Sequence, residues 1–193
     1  MQLWDPNALQ GEFEKISSLP GVGFLHGRSS DDARGNFRKV ASLITGFDAD
    51  LREVFWSVSH SGVVRGMHSG ISGHQGDKLV TVQSGEILDV LIDLRPGPAL
   101  GDIFVVVLNR NSPSVLVPAG VAHGFQVLGN TEATVLYVTS NSHIPEFDSG
   151  VNPLTCGINW PLTPTNVSER DQLLPELGQV IQEGGWPLID ANK

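Results

Sequence analysis

Residues 78–94 read KLVTVQSGEILDVLIDL. Two apolar, β-branched runs stand on either side of Gln83–Ser84–Gly85–Glu86, and neither contains a proline or a helical spacing of apolar residues. They read as two strands joined by a tight hairpin at QSGE. The same texture runs from Val63 to Thr139: VVRGMH, DIFVVVL, SVLVP, HGFQVL and ATVLYVT are short runs punctuated by Gly, Pro, Asn or Ser. Many short strands at this spacing predict an antiparallel, mainly β architecture, a jelly roll or small β-barrel whose interior can hold a ligand.

The ends of the chain read differently. Residues 1–30 are expected as an N-terminal arm, with Asp5–Pro6 opening a short helix. Residues 31–165 form the barrel domain, and 166–193 a C-terminal helical segment packed on it. In that segment Ser168 and Asp171 have the spacing of a capping pair. Leu173, Leu174, Leu177, Val180 and Ile181 supply an apolar stripe, which Pro175 interrupts or delays.

The 193 residues are 40% hydrophobic and 17% charged, with a formal net charge of -9. One domain with one sizeable core is expected. An acidic chain lacks the concentrated Lys and Arg that phosphate backbones require, so nucleic acid is not expected as a partner. No apolar run reaches the roughly 20 residues of a membrane span, and the first residues lack the layout of a secretory signal, so a cytoplasmic protein is expected. Cys156 is the single cysteine, which rules out an intramolecular disulfide and a thiolate zinc cage from one chain.

Against that acidic background, residues 65–80, RGMHSGISGHQGDKLV, gather Arg65, His68, His74 and Lys78. Taken singly, His68 is a strand-end histidine and Lys78 an edge lysine. Strict alternation puts His68 on the face of Gly66 and Val64. Pro118, Gly120 and His123 in VPAGVAHGF reproduce the P-x-G-x-x-H pattern of cupin barrels. Tyr137 is the only tyrosine, and alternation sets it on one face with Val135 and Thr139.

Together, DDARGNFRK, GVVRGMH, DKLVTVQSGEILDVLIDLRPG, VPAGVAHGFQVL, TVLYVT and GINWPLTPTNVSERD follow the order and spacing of another set of motifs. The chain resembles the dTDP-4-dehydrorhamnose 3,5-epimerase family, of cupin-like jelly-roll fold, from about Asp31 to Asp171. The resemblance implies a nucleoside-diphosphate 4-keto-6-deoxy sugar as substrate, no metal or redox cofactor, and a homodimer in which Arg34 completes the partner's site. It implies His68 as base, Asp171 as the carboxylate paired with it, Lys78 beside the ketone and Tyr137 as acid. Arg65, Arg34, His123 and His143 map to substrate binding.

The chemistry accounts for these residue types. A hydrogen beside a ketone is weakly acidic, so its removal needs a base together with a charge aimed at the developing enolate oxygen. Inversion needs a second group to return the proton from the opposite face. The chain departs from the family pattern at Glu53 and Phe55, where Gln-x-Asn is usual. It departs also at Asn36 and Lys39, at Ser142 and His143 in place of paired tyrosines, and in the HSGISG that follows the R-G-x-H arginine–histidine motif. Two other classes fit parts of the sequence: a metal-dependent cupin using His68, His74 and His123, and a non-catalytic sugar-nucleotide binder.

Overall fold

The structure is a computed structural model that describes residues 12–16, 18–27, 29–40, 52–70 and 75–186. Among these, thirteen strands build two main antiparallel sheets and a hairpin. The first sheet has the order β1 (Glu12–Lys15), β2 (Gly23–His26), β10 (Ser114–Val117), β7 (Lys78–Ser84), β12 (Ala133–Thr139), β5 (Glu53–Ser59). The second runs β13 (Asp148–Gly150), β6 (Val64–Gly70), β11 (Val121–Val127), β8 (Glu86–Asp93), β9 (Ile103–Asn109). Among the described residues, strands β3 (Ser29–Asp32) and β4 (Gly35–Arg38) pair only with each other. The mainly β jelly roll expected from the run texture is what the chain forms.

The core lies between the sheets. Val80, Val82, Val115, Val117, Val135 and Tyr137 from the first meet Ile87, Leu91, Leu108, Phe125 and Val127 from the second. Each fully buried Val, Leu, Ile or Phe contributes about 1.5–3 kcal/mol. The second sheet is covered on its other face too, where Met67, Leu88, Val90, Ile92 and Ala122 pack under Val151, Cys156, Leu177 and Val180. Strands β8 and β11 are therefore buried on both faces, which is why EILDVLID is apolar almost throughout instead of alternating.

Three expectations change. QSGE is not a hairpin between paired strands: β7 pairs with β10 and β12, β8 with β11 and β9, so this turn carries the chain from one sheet to the other. Val80 and Val82 of β7 meet Ile87 and Leu91 of β8 across the core from opposite sheets, which a paired hairpin within one sheet does not allow. Residues 12–26 lie in the first sheet rather than apart from it as an arm, because Leu19, Val22 and Leu25 are fully buried. The Asp5–Pro6 helix start falls outside the described residues. The C-terminal segment holds two short helices, α1 (Glu169–Gln172) and α2 (Leu177–Gln182), separated at Pro175. Leu177 and Val180 reach the core, whereas Leu173 is 86% exposed, so the apolar stripe is broken where the proline breaks the helix.

Candidate active site

The roll carries an open cavity of about 1280 Å³, larger than the roughly 300–1,000 Å³ of a drug-sized pocket. His68, Asp171, Tyr137, Lys78, Arg65, His123 and His143 all line it. Arg34 does not. Its guanidinium pairs with Asp32 at the tip of the β3–β4 hairpin, 2.5 Å away, and its side chain is 90% exposed.

Arg65 and His68 are three residues apart and would face opposite sides of a regular strand. The register resolves this. His123 lies opposite His68 and Phe125 opposite Arg65, so β6 has two residues between these pairs where β11 has one. This bulge at Gly66 and Met67 turns the Arg65 and His68 side chains inward and sends Met67 to the outer core. Gly66 is required there: its φ is +107°, and a Cβ would sit 2.6 Å from the Gly124 Cα. The simple alternation expected for His68 with Gly66 and Val64 is thereby replaced.

His68 Nε2 lies 2.8 Å from Asp171 Oδ1. Asp171 is held in turn by the Gly66 N–H, 3.3 Å from Oδ2, and by its own N–H donating to Ser168 Oγ at 3.1 Å. Ser168 thus caps α1 as expected, while the Asp171 carboxylate turns to the histidine. Burial pushes Asp171 up, but His68, the Gly66 N–H and Ser168 outweigh it and hold the carboxyl below its usual range. With Nε2–H donated to Asp171, the lone pair for accepting a proton is on Nδ1.

Lys78 Nζ donates to the His68 carbonyl at 3.1 Å. Burial lowers its pKa to about 8, against the opposing pull of Asp148. Tyr137 is 8% exposed, sharing its face with Val135 and Thr139 as alternation predicts. Burial raises the phenol pKa, so the hydroxyl keeps its proton. The Ser57 hydroxyl opposes the shift, though it makes no hydrogen bond of normal geometry. Phe55 stacks on Tyr137 with centroids 4.8 Å apart at 18°, and the His123 ring meets it edge-on at 6.1 Å. Arg65 Nε donates to Ser59 Oγ at 2.7 Å. His143 presents Nδ1 3.6 Å from Asp148 and gives its backbone N–H to Glu53 at 3.1 Å.

Several participants escaped the sequence reading. Asp89 is fully buried and lies 2.6 Å from His123 Nε2, with its second oxygen unpartnered among the described residues. A carboxylate amid ILDVLI was the available signal. Arg170, beside Asp171 in SERD, reaches Asp148 at 2.6 Å and His68 Nε2 at 2.8 Å. The Nε2 proton serves Asp171 only while Arg170 directs its own hydrogens to carboxylates. His74 of the metal-binding alternative lies outside the described residues. Among the described residues, no three His, Cys, Asp or Glu side chains converge on a common point.

A family model for dTDP-4-dehydrorhamnose 3,5-epimerase matches residues 17–179. The Streptomyces griseus dTDP-4-dehydrorhamnose 3,5-epimerase is 33% identical over 180 residues, 88% of this chain and 89% of that protein. The Escherichia coli K12 counterpart is 31% identical over 176 residues, 86% and 95%. A 4-keto-6-deoxy sugar epimerase from the novobiocin biosynthetic gene cluster of Streptomyces spheroides superposes with a TM-score of 0.83 at 30% identity, covering 92% of each chain. The dTDP-6-deoxy-D-glucose-3,5-epimerase of Legionella pneumophila, solved with dTDP-4-keto-L-rhamnose, gives 0.83 at 27%, covering 94% of this chain and 100% of that one. A double-sheet roll with a histidine–carboxylate pair in its interior defines a jelly-roll isomerase of cupin-like fold. The chain belongs to the dTDP-4-dehydrorhamnose 3,5-epimerase family.

Proposed function

We propose that the protein epimerises a nucleoside-diphosphate 4-keto-6-deoxy sugar by deprotonation and reprotonation through an enolate. The observation that carries this is the 2.8 Å contact of His68 with Asp171 in the cavity that Lys78 and Tyr137 also line. His68 Nδ1 takes the hydrogen from the carbon beside the C4 ketone. Asp171 holds the ring and balances the imidazolium. The Lys78 ammonium stabilises the negative charge arriving on the ketone oxygen, a kind of interaction whose loss typically costs about 2.7–4 kcal/mol. Tyr137 returns a proton from the other face, then recovers one from solvent as His68 releases its own. His123, fixed by Asp89, supports the phenol, while Arg65 and His143 serve the diphosphate.

The protein acts as a homodimer in this reading. Val54, Trp56 and Val58 are 55%, 68% and 46% exposed on the outer face of β5, an apolar strip that a second copy would cover. The β3–β4 hairpin, with Arg34 and the 62% exposed Phe37, reaches the partner's cavity.

The test is incubation with dTDP-4-keto-6-deoxyglucose in deuterated water. Label at C3, C5 or both is expected by NMR. No incorporation favours the non-catalytic binder, and incorporation abolished by a chelator favours the metal-dependent cupin.

A further inference from the structure

We propose that Asp148 is a positioning residue of this site, the carboxylate that gathers Arg170 and His143 on one wall of the cavity and supplies the counter-charge under which Lys78 stays an ammonium. The proposal deepens the epimerase reading and rests on it for the ketone that the ammonium would meet. Among the described residues, three carboxylates line the cavity, Glu53, Asp148 and Asp171. Asp148 stands on β13 opposite Gly70 of β6, two residues from the pair of Gly150 with His68. Residues opposite each other, and those two apart, share a face of a sheet, so its side chain lies on the His68 side. Gly70 and Gly150 add no side chain to that face. The Asp148 side chain is only 15% exposed, and its Oδ2 is 2.6 Å from Arg170 Nη1 and 3.6 Å from His143 Nδ1. Lys78 reaches the same pair of strands from β7, its Nζ donating to the His68 carbonyl at 3.1 Å.

The other titratable groups around the lysine do not fill this role. Asp171 on α1 is taken by His68 and the Gly66 N–H, and Glu53 on β5 accepts the His143 N–H. Asp77, next to Lys78 in the chain, accepts the Ala119 N–H, and Asp89 on β8 pairs with His123 of β11. Tyr137 on β12 keeps its proton. Arg65 and Arg170 bring only positive charge to the cavity. Burial works against the ammonium, and Asp148 is the charge that opposes it, because a nearby anion favours the protonated form of an amine.

The test is an NMR titration of protein carrying isotope-labelled lysine, in which the Lys78 ε-methylene signal, assigned by its absence in Lys78→Arg, reports the ammonium without substrate. The native midpoint is expected near pH 8. Asp148→Asn, which keeps the shape and removes the charge, should lower it by about one unit, and Asp148→Glu should hold it near the native value. Arg170→Gln, which removes the cation that shares Asp148, should raise it by roughly half a unit. The basic limb of the exchange rate on the keto sugar should move down with the midpoint in Asp148→Asn, which a merely structural loss of rate would not do. An unmoved midpoint in Asp148→Asn or Arg170→Gln, or a limb that stays in place while the midpoint moves, overturns the proposal. The arginine variant decides the matter even if the asparagine variant does not fold. Absence of solvent exchange in the native protein, with the midpoints moving as stated, overturns the epimerase reading and leaves the coupling of Asp148 to Lys78 standing.

Discussion

Lys78 is the residue whose environment makes the sharpest demand on the chemistry. In the proposed reaction its ammonium must be charged to hold an enolate oxygen, yet burial brings its pKa down to about 8. The charged form is complete well below that value and is lost as pH rises through it. Turnover should therefore fall with a basic limb near pH 8. Lys78→Arg, whose cation does not titrate in that range, should lack the limb at whatever residual rate it retains. Initial rates from pH 6 to 10 for both proteins check this, and a native profile flat to pH 10 contradicts it. Arg170 acts at the same scale. Because it pairs with Asp148 and lies against the Asp171 carboxylate that holds His68, Arg170→Gln should change kcat more than KM, by roughly tenfold.

At the scale of elements, the site depends on the bulge in β6. Run texture placed β6, β11 and β12, and the family resemblance picked out His68, Tyr137, Lys78 and Asp171 as candidates, because the motifs that carry it lie within single segments. The bulge was not legible, since it is defined by the register of two strands more than fifty residues apart. The same limit hid the sheet-crossing turn at Gly85 and the pairing of Asp89 with His123. Gly66 makes the bulge testable. An alanine there combines a φ of +107° with a Cβ 2.6 Å from the Gly124 Cα, so Gly66→Ala should destabilise the protein by more than about 1 kcal/mol and lower activity. Urea unfolding measures the first and exchange kinetics the second. A variant of native stability and rate would show that the bulge tolerates a side chain.

At the scale of the whole molecule the proposed dimer rests on one exposed face. Composition suggested one acidic domain, and the described chain forms one double-sheet roll, yet its first sheet leaves Val54, Trp56 and Val58 in the open. Sequence alternation alone did not reveal that face, because Phe55 and Trp56 are neighbours and only the fold shows that Phe55 lines the cavity while Trp56 points out. Trp56→Glu should halve the mass seen by light scattering at micromolar concentration, and a mass unchanged from the native protein would move the interface elsewhere.

The central claim is that two groups work on opposite faces of one sugar, His68 removing a proton and Tyr137 returning it. Its most direct test is the ratio of deuterium exchange to inversion in deuterated water for the native protein and Tyr137→Phe, measured on the same 4-keto-6-deoxy substrate. Exchange should persist in the variant while inversion falls by roughly a hundredfold or more, because abstraction survives and delivery from the far face does not. Inversion that keeps its native rate without the phenol would contradict the account.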